Sequence, residues 1–364
     1  MRKLSLLKTM LLLCALVAGS ASVWAAPGDE IKSPSNVVSG KWYYIKGVYT
    51  SSSVEYSQYY APSTDAKDTK VTNAAATDIA NAMPILFTQV TGGWTLQTPN
   101  GYYVRPHSSN GQSYLLEDEF VMTLTSGDTK EGTGKGIKIG KYTASSKDWY
   151  LQANQQSAKI GGYKDTQWDV TLIEAGEVTI NSACTDGSQF FGTYSSSVAF
   201  VVPSVLTVSE VKVVSGKLQL SNYDTGDIVP ANTGVLVSSA TAKKFVLAPT
   251  TGGTSLLGSG NMLKGSGDDG ITASAMTAAN TLFYRLTMHN GSTIGFWWGA
   301  ADGAAFDLAA NKAYLAVPVD AAREGFGFDD TTGIENVNRE TITITVITRW
   351  MAARWRTRRK ASTS

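Results

Sequence analysis

Three tryptophan-led runs constrain the first half of this chain more than anything else in it. Trp42-Tyr43-Tyr44-Ile45, Trp94-Thr95-Leu96-Gln97 and Trp149-Tyr150-Leu151-Gln152 recur at spacings of 52 and 55 residues. Aromatic and β-branched residues in short runs favour strands, and Gly, Asn and Ser between them favour tight turns. A further strand is expected after each of the last two runs, at Tyr102-Tyr103-Val104 and at Lys159-Ile160-Gly161-Gly162-Tyr163. Residues 85–88, 122–125 and 170–173 supply strands between or after them. Similar β units at a near-constant period leave open sheet edges unless they close on themselves. The expectation for residues 41–175 is therefore a β-trefoil-like barrel. A β-sandwich with coincidental tryptophan spacing is the other architecture open to the same pattern.

A second β-rich unit is expected over residues 176–320, starting at Gly176. Apolar or alternating runs at 199–202, 206–214, 217–220, 234–237 and 244–247 are separated by turn residues. Runs at 283–288 and 293–298 flank His289-Asn290-Gly291-Ser292, which holds the strongest short hairpin dipeptide. Ala231-Asn232-Thr233-Gly234-Val235-Leu236 is echoed 79 residues later by Ala310-Asn311-Lys312-Ala313-Tyr314-Leu315. In both, Asn makes a turn and a small residue opens an apolar strand. These read as equivalent entries into a β-sandwich-like domain, so the whole chain is expected to be all-β in two domains.

The period and the Trp-aromatic-aliphatic openings of the first domain resemble ricin-B-like β-trefoil modules. The lectin signature of Gln, any residue, then Trp is missing; only the adjacent pair Gln167-Trp168 approaches it. The second domain resembles, across residues 178–318, a module of large exported proteins of Bacteroides- and Prevotella-type bacteria. The residues that carry this resemblance are Val229–Leu236, Tyr284–Met288, Gly295–Phe306 and Ala310–Pro318. It implies a surface or extracellular setting and no particular chemistry.

The N-terminus fits that setting. Arg2, Lys3 and Lys8 precede an apolar stretch at 10–18, and Val23 and Ala25 stand at the −3 and −1 positions of a cleavage site before Ala26. Residues 1–25 read as a signal peptide, too short in its apolar part to span a bilayer. Leu12 and Leu13 before Cys14 do not suit a lipoprotein signal. Residues 26–40 read as a polar leader. Removal of the signal leaves Cys184 alone, so the secreted chain relies on its core without an internal disulfide. Cys184 is expected to be a small buried hydrophobe.

No reactive constellation stands out. His107 and His289 fall in separate domains, both expected at the surface, and neither HExxH, CxxC nor a phosphate-binding glycine loop occurs. Glu117-Asp118-Glu119 is a local acidic cluster, but adjacent strand residues face opposite ways. Asp268-Asp269-Gly270 and Asp329-Asp330 lack the alternating acids of a calcium loop. No cofactor or metal is expected. What remains is aromatic density beside amide side chains, the composition of a sugar-binding surface, where apolar C–H faces stack on rings and polar groups meet the edges. The candidates are Tyr102, Tyr103, Tyr150, Tyr163, Trp168, Asn154, Gln155, Trp297 and Trp298. The leading tryptophan of each repeat is expected in the core, and one member of each doublet, Tyr102-Tyr103 and Trp297-Trp298, should point outward. The favoured function is a non-catalytic carbohydrate-binding protein of the bacterial surface. A structural or adhesive protein with a protein partner is the alternative, and a glycoside-active enzyme with a dispersed carboxylate pair comes third.

The net charge of +1 joins two unlike segments. Residues 26–340 hold 22 Lys and Arg against 30 Asp and Glu, whereas the last 24 residues hold six basic residues and no acid. The acidic body argues against nucleic acid as a partner. In the resembled family, a linker such as residues 321–340 leads to a short β-rich tail like a type IX sorting signal, ending near Lys-Gly-Leu-Tyr-Ile-Val. Residues 341–364 depart from that. Three readings stand: a frame-shifted tail, a real strand over 341–348, or a basic amphipathic segment for anionic surfaces. With suitable codons, reading Arg359–Ser364 one base earlier gives Thr-Lys-Gly-Leu-Tyr-Ile. Sequencing the gene is expected to show that ending in a neighbouring frame; its absence from all nearby frames excludes the frame shift.

Overall fold

Period-two burial builds the first domain. Tyr43 and Ile45, Ile85 and Phe87, and Ile137 and Ile139 all point into one core, closed further by Leu96, Val104, Leu115, Leu151, Val170 and Leu172. A computed structural model describes residues 27–51, 54–127, 136–154, 159–164, 167–328 and 335–336. The signal peptide, half of the linker (329–334 and 337–340) and the basic tail lie outside the described residues. Throughout, the protein is all-β.

Thirteen strands form the first unit: β1 (Glu30–Ile31), β2 (Lys41–Ser51), β3 (Val54–Tyr59), β4 (Thr69–Thr72), β5 (Ile85–Val90), β6 (Gly93–Gln97), β7 (Tyr103–Pro106), β8 (Gln112–Leu116), β9 (Thr123–Ser126), β10 (Ile137–Ala144), β11 (Lys147–Asn154), β12 (Lys159–Lys164) and β13 (Val170–Glu174). Nine of them make a closed barrel in the order β13-β10-β11-β12-β8-β7-β6-β5-β2. The seam is the antiparallel pairing of β13 with β2, from Val170↔Gly47 to Glu174↔Tyr43. A shorter circuit runs through β9: Trp94 and Met122 exchange backbone hydrogen bonds of 2.8 Å, and β9 pairs with β10. It links β2, β5, β6, β9, β10 and β13.

That circuit revises the tryptophan period. Trp42 and Trp94 stand on β2 and β6, two strands of that circuit, whereas Trp149 lies on β11, which is not part of it. The leading tryptophans also differ in surroundings. Trp149 is buried, Trp94 packs against the barrel core, and Trp42 packs against Tyr44, Ile79 and Ile173 at the junction with the second domain. The polar stretch before Lys41 is docked: β1 pairs with β13, and Ile31 and Val37 enter the core.

The second unit contains β14 (Gly176–Thr179), β15 (Phe190–Tyr194), β16 (Ala199–Val201), β17 (Thr207–Val214), β18 (Lys217–Tyr223), β19 (Ile228–Val229), β20 (Val235–Ser239), β21 (Lys244–Thr250), β22 (Leu263–Gly265), β23 (Thr281–His289), β24 (Thr293–Trp298), β25 (Ala313–Pro318), β26 (Gly325–Gly327) and β27 (Glu335–Asn336). They form three sheets, β14-β21-β16-β19, β15-β20-β17-β18-β27 and β22-β25-β23-β24-β26. The middle sheet is covered on both faces. On β20, Val235 and Val237 join Phe200, Phe245 and Leu247 of the first sheet, while Leu236 joins Tyr284, Phe296 and Leu315 of the third. This is why Val235-Leu236-Val237 is apolar without alternation.

Both Asn entries hold as read. Asn232 and Asn311 adopt left-handed backbone at φ 61° and 55°, a region Asn tolerates better than most residues, and each leads into an apolar strand. Asn290 and Gly291, at φ 49° and 70°, make the expected tight turn between β23 and β24, with Ser292 N–H donating to the His289 carbonyl.

One buried charge anchors a loop of this domain. Glu210 on β17 is fully buried and accepts from the Tyr223 hydroxyl (2.5 Å), Ser255 Oγ (2.9 Å) and the Leu256 and Leu257 amides (3.2 and 2.8 Å). Glu210→Ala strips four donors of their acceptor. The expected loss is about 3 kcal/mol or more by chemical denaturation, and a loss below about 1 kcal/mol would show the loop to be held by other contacts.

Candidate functional site

Alternation on β7 buries Val104 and Pro106 and turns Tyr103, Arg105 and His107 outward. On β8 it buries Ser113 and Leu115 and turns Tyr114 outward. Register then places Arg105 opposite Tyr114, and Tyr114 opposite Lys70 of β4. The row Lys70, Tyr114, Arg105 thus crosses three strands on one outer face of the barrel.

Aromatic rings close around the guanidinium. Arg105 Cζ lies 3.8 Å from the centroid of Tyr142, 5.1 Å from Tyr114 and 5.8 Å from Phe120. Phe120 meets Tyr142 edge-on at 6.3 Å, and His107 stacks on Tyr114 at 6.2 Å. The Tyr114 hydroxyl donates to the Asp68 carbonyl at 2.9 Å, which fixes that ring. Each cation–ring contact contributes about 0.5–1 kcal/mol at an exposed site. Burial lowers the His107 pKa, and the charges of Lys70 and Arg105 lower it further, which favours the neutral imidazole. Its Nδ1 is buried without a hydrogen-bond partner, as is Arg105 Nε.

The residues read from the sequence are dispersed. Tyr103 is half-buried on the same strand face as Arg105, while Tyr102 packs against the barrel core. Tyr150 is half-buried with its ring over Gly140 and Lys138 Nζ 4.2 Å from its centroid. Its cross-strand neighbour Tyr163 is only 3% exposed, and Trp168 is 9% exposed within the barrel core; neither offers a free ring face. Asn154 donates to Gln167 Oε1 at 2.6 Å. Gln155 lies outside the described residues. Arg105, Tyr114, Phe120 and Tyr142 were not singled out by the sequence. The alternation Tyr103-Val104-Arg105-Pro106-His107 was the available signal.

In the second domain the doublet splits as alternation requires. Trp298 packs against the core, and Trp297 lies on the opposite face, stacked on His289 with centroids 3.9 Å apart and planes 14° apart. The Trp297 ring covers Gly325 of β26, where an added Cβ would overlap it.

The conspicuous carboxylates have local partners. Glu117 pairs with Lys67 at 3.0 Å, and Asp268 accepts from Asn311 Nδ2 at 2.7 Å and from Ser197 Oγ. Asp329-Asp330 lies outside the described residues. Cys184 is half-buried, and burial raises its thiol pKa, as suits a small packing residue. Among the described residues no cluster of three or more His, Cys, Asp or Glu is placed to hold a metal ion, and no helix is long and apolar enough to cross a membrane. No family model matches the chain, and no curated protein matches it either.

Gly325→Ala is the sharpest probe of the Trp297 platform. It is expected to displace the indole from the sheet, change the near-ultraviolet circular dichroism of the tryptophans and cost about 1–3 kcal/mol. An unchanged spectrum and stability would show that Trp297 does not lie over Gly325.

Proposed function

We propose that this chain is an exported, non-catalytic carbohydrate-binding protein of the bacterial surface. In this reading the barrel is a β-trefoil-like binding unit, and the three sheets are a β-sandwich-like carrier of the kind found in modular exported proteins of Bacteroides- and Prevotella-type bacteria. The observation that carries the proposal is the outer face of the barrel around β7 and β8. There Tyr103, Tyr114 and Tyr142 are half-buried rings beside charged and polar side chains. Sugar rings meet that combination with C–H faces on the aromatic planes and hydroxyls on the polar edges. The pairing of β2 with β5, Trp94 with Met122, and β10 with β13 supports the trefoil-like reading, since each joins the first and last strand of one four-strand unit. The basic and apolar pattern of residues 1–25 supports export.

A glycan array followed by titration of intrinsic fluorescence tests this. The expected result is saturable binding to at least one glycan class, weakened by Tyr103→Ala by several-fold, about 1 kcal/mol. Silence across host, dietary and bacterial glycans overturns the proposal, and pull-down of a stoichiometric protein partner in its place favours an adhesive role.

A further inference from the structure

Among the described residues, the cation at the centre of the aromatic cluster has no carboxylate partner. Elsewhere, basic side chains reach carboxylates: Lys41 pairs with Glu174 at 2.9 Å, Lys46 with Glu30 at 3.4 Å, Lys141 with Asp148 at 3.1 Å and Lys244 with Glu177 at 2.7 Å. The Arg105 side chain instead touches rings, and among the described residues it makes no ion pair and no side-chain hydrogen bond. Three acids of the surrounding strands and turns are held elsewhere, while Asp118 and Glu119, just before Phe120, are exposed. Glu117 is paired with Lys67, Asp68 Oδ1 accepts from the Glu117 amide, and Asp148 is bound by Lys141 and Thr143.

The geometry of that contact matters. The Tyr142 centroid lies 3.8 Å from Arg105 Cζ, and the N–H donors of a guanidinium lie in its own plane around its rim. A planar fork of donors matches a carboxylate in a two-point hydrogen bond. Lys70, two strands away on the same face, adds a second positive charge without adding a fixed geometry. His107, stacked on Tyr114, contributes an aromatic face and a polar edge.

We propose that the Arg105 cluster is the subsite for an acidic sugar residue, with the guanidinium gripping a ring carboxylate, as in a uronic or sialic acid, and Tyr114 and Tyr142 bordering the sugar. This rests on the carbohydrate-binding reading and narrows it to carboxylated saccharides. Sulfated sugars share the negative charge but not the planar two-oxygen partner, so the test separates them.

The experiment is isothermal titration of the full chain at low salt with three kinds of probe. Carboxylated probes are tetragalacturonate, an oligomannuronate and sialyllactose. Neutral probes are their carboxyl-reduced or desialylated forms, and the third kind is a sulfated galactan oligosaccharide. At least one carboxylated probe is expected to bind about tenfold tighter than its neutral counterpart, a difference of about 1.4 kcal/mol. Arg105→Met is expected to erase that preference, and Arg105→Lys to restore only part of it. Because Arg105→Met removes the cation from three rings, Lys70→Met at an exposed position serves as the second variant. It is expected to weaken the carboxylated probe a few-fold with an unchanged melting temperature. Equal binding of every carboxylated probe and its neutral form overturns the acidic subsite and leaves sugar binding standing. Tighter binding of the sulfated probe overturns the carboxylate assignment. Absence of binding to all probes overturns both readings.

Discussion

The pairing of β13 with β2 is the contact on which the rest depends. It closes the barrel and removes the edges that an open sheet would leave to self-association. The seam admits little substitution. Every residue of β13 is buried, and opposite Val170 stands Gly47, where a Cβ would overlap that of Ala153. The same strand ends at Glu174, and the second domain begins two residues later at Gly176. Glu174 is buried there against Lys41, and burial raises its pKa even with the lysine beside it. A single strand therefore closes one domain and fixes the start of the next.

The junction is itself a packed contact. Tyr44, Ile79 and Ile173 of the barrel meet Ala175 and Ala248, with Trp42, Tyr59, Val201 and Val246 around them. Trp42 thus serves the interface, a role unlike that of Trp94 or Trp149. On the far side of the second domain, Met276, Phe283, Phe306 and Tyr314 form a small separate core over the outer face of the third sheet. Trp297 stands farther along that face, where glycines on β26 make room for its ring. Apolar cover at one end and an indole at the other divide the sheet into a structural and an accessible part.

Much of the fold was legible because it is local. Alternation gives strands, Asn232 and Asn311 give turns, and Asn290-Gly291 gives a hairpin, each within a few residues. The likeness of Trp149 to Trp42 and Trp94 does not extend to position, because Trp149 lies on β11, outside the short circuit that β2 and β6 share, and strand pairing is not displayed by a sequence. The site was less legible for the same reason. Arg105 reads as one charge beside Pro106 and His107. Its rings come from Tyr114, Phe120 and Tyr142, which only register and closure bring together. Tyr163 and Trp168 show the converse: composition marked them as binding residues, while the surrounding chain covers both.

The continuity of β13 into β14 also has a mechanical meaning. Under the proposed binding role, a chain that holds a ligand at one domain and is tethered through the other would carry load along its length. Tension entering at Gly176 would pull β13 along its own axis, against ladders to β2, β10 and β1 that run beside it. Those hydrogen bonds must fail together in shear instead of opening one at a time like a zip. The strand that closes the barrel is thereby also the one best placed to resist force.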